Sequence, residues 1–186
     1  LMGFIRPKKG SCHIGGLDCW TKRAEIQRDL GYIPGEINFF DDMTGREFLR
    51  FMTRYRDLPK NNRQKELLER FDLNPKGKIK KMSKGMKQKL GIVTAFMHDP
   101  QILILDEPTS GLDPLMQNTF IQLIAEEKAR GKTILLSSHI FEEVERTCDR
   151  VGIIRQGKMV ATDTIATLRS RHLRNYTVTL ETPELA

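Results

Sequence analysis

Apolar residues recur along this chain with two different periods, and the switches between them mark its elements. Phe48, Phe51, Met52 and Tyr55 fall on one helical face, and Thr44 with Glu47 has the Thr-x-x-Glu spacing of a capping box, which predicts a helix from about Gly45 to Arg56. A second helix is predicted from about Asn62 to Phe71, with Leu67, Leu68 and Phe71 sharing a face. The loop Asn74-Pro75-Lys76-Gly77 follows it. Ser83 reads as the N-cap of a third helix, since Met86, Leu90, Val93 and Met97 recur at helical spacing until Asp99-Pro100 ends it. The period then changes. Gln101-Ile102-Leu103-Ile104-Leu105 is unbroken rather than alternating, as expected of a strand buried on both faces of a parallel sheet, and its exit Asp106-Glu107-Pro108 is abruptly charged.

The alternation continues. Met116, Phe120, Leu123 and Ile124 predict an amphipathic helix ending at Gly131, and Thr133-Ile134-Leu135-Leu136 a second buried strand that closes on Ser137-Ser138-His139. Phe141, Val144 and Cys148 predict a short helix. Val151 to Ile154 and Met159 to Ala161, parted by Gln156-Gly157, read as an antiparallel hairpin. A last helix is expected from about Thr164 to His172, and Tyr176 to Leu180 alternates like a strand. Upstream, Gly10 to Gly16 is strand-like, and Thr21 to Leu30 is a polar helix or loop leading into Gly31-Tyr32-Ile33-Pro34. Leu1 to Ile5 reads like the end of a helix. The whole is an α/β pattern with a parallel sheet.

At 186 residues the chain is expected to form one domain. No apolar run approaches the roughly 18 residues of a membrane span. Three cysteines, Cys12, Cys19 and Cys148, form no Cys-x-x-Cys pair, which argues against a disulfide framework and fits a reducing, cytoplasmic setting. The net charge of +7 permits nucleic acid, an anionic surface or a phosphorylated ligand, and does not choose among them. Lys76, Lys78, Lys80, Lys81, Lys84, Lys87 and Lys89 concentrate that charge, as a solvated stretch or as a steering field for nucleotide.

The chemistry lies at the predicted strand ends, which in a parallel sheet open onto one crevice. Asp106 and Glu107 are adjacent carboxylates with different directions, so one can hold a Mg²⁺ ion while the other faces an attacking water. His139 can donate to a phosphate oxygen. Ser83, at a helix amino terminus, adds unpaired N–H groups that favour an anion.

Taken in order, Met82-Ser83-Lys84-Gly85-Met86-Lys87-Gln88-Lys89-Leu90, Leu105 to Pro114 and Leu136-Ser137-Ser138-His139 resemble the ATP-binding-cassette (ABC) ATPase family over nearly the whole chain, fading after about Arg171. The resemblance is greatest to the ATP-binding subunits of bacterial exporters and permeases for drugs and peptides. It implies a P-loop NTPase-like fold, with a helical subdomain over residues 43–91, a core over 92–172 and the start of a C-terminal extension over 173–186. It implies ATP and Mg²⁺ as cofactors, Asp106 on Mg²⁺ through water, Glu107 as general base and His139 as the switch histidine at the γ-phosphate. Ser83, Lys84, Gly85 and Met86 match the signature that meets ATP of an opposite subunit, and Ser110, Gly111, Leu112 and Asp113 match the D-loop. The implied partners are a second ATP-binding subunit in a head-to-tail dimer and an integral-membrane permease, with no nucleic acid, at the cytoplasmic face of the membrane. Alternative readings are an ABC ATPase of DNA repair or translation, and a non-catalytic ABC-like fragment.

Three positions depart from the family pattern. The loop Gly-x-x-x-x-Gly-Lys-Ser/Thr is absent, because Gly131-Lys132-Thr133 is preceded five residues earlier by Glu126 and lies between a helix and a strand in the wrong order. The chain is therefore expected to lack the N-terminal strands and P-loop, to begin just downstream of them and to be inactive by itself. Gly35, with Glu36 beside it, stands where the Q-loop carries glutamine. Lys84 replaces a signature glycine.

Overall fold

The computed structural model describes residues 1–59 and 62–167. Its centre is a parallel three-stranded sheet, ordered β3 (Leu30–Ile33), β4 (Ile102–Asp106), β5 (Thr133–Ser137), with Leu30 opposite Ile102 and Ile102 opposite Thr133. Ahead of it come a small hairpin, β1 (His13–Ile14) with β2 (Leu17–Asp18), and the helix α1 (Arg23–Asp29).

Between β3 and β4 the chain makes a helical layer of α2 (Gly45–Tyr55), α3 (Arg63–Arg70) and α4 (Lys84–Phe96). The capping box ahead of α2 is complete: the Glu47 amide donates to Thr44 Oγ1 at 3.2 Å, and the Thr44 amide donates to Glu47 Oε2 at 2.7 Å. Ser83 caps α4, its Oγ accepting from the Met86 amide at 3.2 Å. Phe71, Ile79, Leu90, Ile92, Val93, Phe96, Leu103, Phe120 and Leu123 are fully buried in one core that joins this layer to the sheet and to α5 (Pro114–Ala129). Phe96 and Phe120 meet edge to face there, with centroids 6.4 Å apart. Truncating a phenylalanine so placed costs about 3–5 kcal/mol. The chain then forms α6 (Phe141–Thr147) and the hairpin of β6 (Arg150–Arg155) and β7 (Lys158–Thr164).

Three expectations are corrected. The sheet is not buried on both faces: Leu103 and Leu105 point into the core, but Ile102 and Ile104 are half-buried and Leu135 is 51% exposed. That second face borders a cavity of about 1320 Å³, lined by Leu1, Phe4, Tyr32, Ile104, Leu135 and Met159 among others, instead of a packed helix. Leu1 to Ile5 is not helical; the chain bends there, with Gly3 at φ +70°. The inward face of α6 is formed by Glu143 and Thr147, whereas Phe141 is exposed. Of the predicted helix at 164–172, residues 165–167 are helical and the rest lies outside the described residues, as does the predicted strand 176–180.

Candidate functional site at the strand ends

β4 and β5 end side by side, so residues that are far apart in sequence become neighbours. Asp106 pairs in register with Ser137, whose hydroxyl donates to Asp106 Oδ1. The Glu107 amide donates to the Ser137 carbonyl at 3.0 Å, and the backbone of Glu107 lies in the left-handed region, φ +48°. Such a conformation is costly for a side chain with a Cβ and persists only where neighbours enforce it. It aims Glu107 away from Asp106 and toward His139, whose Nδ1 lies 2.7 Å from Glu107 Oε2. The imidazole is largely exposed and the carboxylate about a third exposed, so both reach solvent in the crevice.

β3 supplies the third wall. Gly35 follows it, and a Cβ at Gly35 would lie 2.9 Å from Asp106 Oδ2, so any larger residue, glutamine included, would have to displace that carboxylate. Glu36 is exposed. Burial, and then the charge of Asp106, push the Tyr32 phenol above its usual range.

The signature segment meets the same region from the helical layer. Ser83 and Lys84 are exposed at the start of α4, Gly85 and Met86 half-buried. A Cβ on Gly85 would come within 2.7 Å of the Gly111 carbonyl, and the aliphatic stem of Lys84 lies over Gly111. Of the D-loop residues, Ser110 is half-buried, Leu112 is buried and Asp113 caps α5, accepting from the Met116 amide at 3.0 Å.

Two residues of this site escaped the sequence reading. Gln88 is buried on α4, and its amide donates to the Pro108 carbonyl at 2.7 Å, tying the helix to the loop that carries Glu107. The available signal was a glutamine in line with Ile92 on the apolar side of its helix. Glu143 is buried on α6, and its Oε2 accepts from Ser138 Oγ at 2.5 Å.

For Mg²⁺ the donor set is of the right kind: oxygen atoms from one carboxylate, Asp106, with a hydroxyl beside it. No group of three or more His, Cys, Asp or Glu side chains that could hold a metal occurs among the described residues.

The sequence profile of the family described as ABC transporter matches residues 1–110, more than half of the chain. The chain belongs to the ABC transporter family. Similar curated proteins include the linearmycin resistance ATP-binding protein LnrL of Bacillus subtilis (strain 168), 36% identical over 176 residues that make up 92% of this chain and 57% of that protein. The bacitracin transport ATP-binding protein BcrA of Bacillus licheniformis is 40% identical over 163 residues, 86% of this chain and 53% of BcrA. The chain thus spans about half the length of the curated relatives it matches. Among solved structures, an ATP-binding subunit of an ABC transporter superposes with a TM-score of 0.83 at 33% identity, covering 91% of this chain and 73% of that one. The fold is therefore that of an ABC ATPase cassette. No helix among the described residues is long and apolar enough to cross a membrane.

Proposed function

We propose that this chain is the hydrolytic part of the ATP-binding subunit of an ABC transporter, which couples ATP binding and hydrolysis to transport through a separate integral-membrane permease. The observation that carries the reading is the Glu107 carboxylate, turned by its own backbone toward His139 and away from Asp106, at the mouth of a parallel sheet in a member of this family.

Asp106 and the Ser137 hydroxyl would hold Mg²⁺ through its waters; the ion neutralises phosphate charge when bound. Glu107 takes the proton of the attacking water at its free carboxylate oxygen, since Oε2 is engaged with His139. With a proton on each ring nitrogen, His139 donates from Nδ1 to that carboxylate and from Nε2 to the γ-phosphate. At the start of α4 the Met86 amide is held by Ser83 Oγ, while the Lys84 and Gly85 amides have no acceptor within the helix, so the Ser83 to Met86 segment suits a phosphate presented by a second subunit. The names of the bacitracin and linearmycin relatives support a drug or peptide-like cargo, and the proposed role places the chain at the cytoplasmic face of the membrane beside the permease.

The test is Glu107→Gln in the protein that carries this chain together with a phosphate-binding loop. ATP binding should remain and hydrolysis should fall at least about 100-fold, the usual loss with a general base. Hydrolysis at the parental rate would overturn the assignment.

A further inference from the structure

His139 stands on a short loop between β5 and α6, exposed and held to the core by little of its own. The residues on either side of it are tied to one atom. Ser138 Oγ accepts from the Ile140 amide at 3.0 Å and donates to Glu143 Oε2 at 2.5 Å, so the hydroxyl spans the imidazole-bearing residue and ends on a carboxylate one turn further on. Glu143 is 3% exposed, and among the described residues no ion pair includes it. Its helix is anchored in turn to α5 by Lys128, whose Nζ donates to the Thr147 carbonyl at 2.9 Å.

A buried carboxylate without a cation is expensive, and a stable chain would ordinarily place an apolar residue there. Burial is the largest influence on Glu143 and raises its pKa; the hydroxyls of Ser138 and Thr109 act in the opposite direction. The cost is retained at a position whose side-chain hydrogen bond reaches the loop of His139.

We propose that Glu143 is a positioning residue: through Ser138 it fixes the backbone on both sides of His139 and so sets the imidazole against Glu107. The proposal rests on the reading of Glu107 and His139 as the hydrolytic pair, and it adds a residue that touches neither nucleotide nor water. A misplacement of about 1 Å at such a pair can cost as much as about 100-fold in rate, which is why a remote anchor matters.

The first measurement needs no nucleotide. Imidazole ¹⁵N spectra of the 186-residue chain, with the His139 signals assigned from His139→Ala, report whether Nδ1 keeps its hydrogen bond. Glu143→Leu and Ser138→Ala should both move those signals toward a free imidazole, while Glu143→Gln, which still offers an oxygen to the hydroxyl, should leave them in place. Ser138→Ala removes one oxygen and keeps the test open if Glu143→Leu does not fold. In the protein with its phosphate-binding loop, either variant should lower kcat about 10- to 100-fold with KM for ATP within about threefold, and the double variant should be no slower than the worse single. Unmoved His139 signals in both variants, or additive losses in kcat, would overturn the proposal. Parental hydrolysis by His139→Ala would instead remove the reading of the hydrolytic pair, while the spectra would still decide whether Glu143 positions the ring.

Discussion

The α-carbon of Gly85 faces the carbonyl oxygen of Gly111 so closely that a Cβ on Gly85 would lie 2.7 Å from it. Two backbones, the first turn of α4 and the D-loop, touch with no side chain between them. A contact of backbone on backbone transmits displacement with little slack, because neither side has a rotamer to give.

Gly85→Ala should therefore destabilise the protein, although alanine is the better helix former. Overpacking costs about 1–3 kcal/mol, and the gain in helix propensity is at most about 1 kcal/mol. Urea unfolding should give a net loss of about 0.5–2 kcal/mol. A more stable Gly85→Ala protein would mean that the two segments separate freely.

A second expectation concerns Glu127, buried on α5 and paired with Lys132, Arg63 and Arg130, with Asp99 joining Lys132 and Arg130. Lys132 and Glu127 are both almost wholly enclosed. Without Glu127 the enclosed Lys132 keeps only Asp99 as its partner, so Glu127→Ala should cost about 3 kcal/mol by denaturant unfolding, the low end for breaking a buried pair. Glu126→Ala, one residue along and more exposed on its bond to Arg70, should cost about 1 kcal/mol or less.

Stability should also depend on His98. Burial, then the Arg56 guanidinium 3.1 Å from its Nε2, lowers its pKa to about 4. The unfolded chain, with an ordinary histidine near 6.5, binds the proton more readily, so stability is full above about pH 6.5 and declines as the pH falls toward 4. The loss should be about 1–2 kcal/mol, allowing for partial solvation. His98→Asn should flatten the profile in that window; an unchanged slope would assign the dependence to other groups.

The fourth expectation is that the 186-residue chain binds Mg-ATP weakly. Charge-assisted hydrogen bonds are worth about 1.5–3 kcal/mol each, and a phosphate-binding loop supplies about four. An ATP site of roughly 0.1–1 mM affinity amounts to only about 4–5.5 kcal/mol. Titration calorimetry should show no binding tighter than roughly 100 μM, and tighter binding would show that the loop is dispensable.

Local rules with a short reach were the legible part of the sequence. Thr44 with Glu47, Ser83 ahead of Met86, and the aliphatic run closing on Asp106 each act within one turn or one strand, and each stands where expected. Strand ends sharing a crevice were legible, but the contact of Asp106 with Ser137 was not: Ser137 stands in the sequence only as part of the segment closing on His139, with no role for its hydroxyl. Leu135 misled because an aliphatic run records what a strand prefers and not which face finds cover. Phe141 misled for another reason: seven residues make too little helix for a period to choose a face, and the bonds of Glu143 to Ser138 and of the Thr147 carbonyl to Lys128 lie on the inward side instead. Gln88 needed the third dimension, since its acceptor lies on a different element.

The register of the central sheet has a kinetic side. Leu30 lies opposite Ile102, so the β3 to β4 pairing closes a loop of roughly 70 residues, with α2, α3 and α4 inside it. The backbone hydrogen bonds of those helices close over four residues each, whereas a parallel pairing across so long a loop is slow to form. Gly35 meets Asp106 only after that closure, and His139 meets Glu107 only after β5 docks. The crevice therefore rests on two pairings between strands far apart in sequence, and a change that loosens either one would dismantle the site while leaving the separate helices intact.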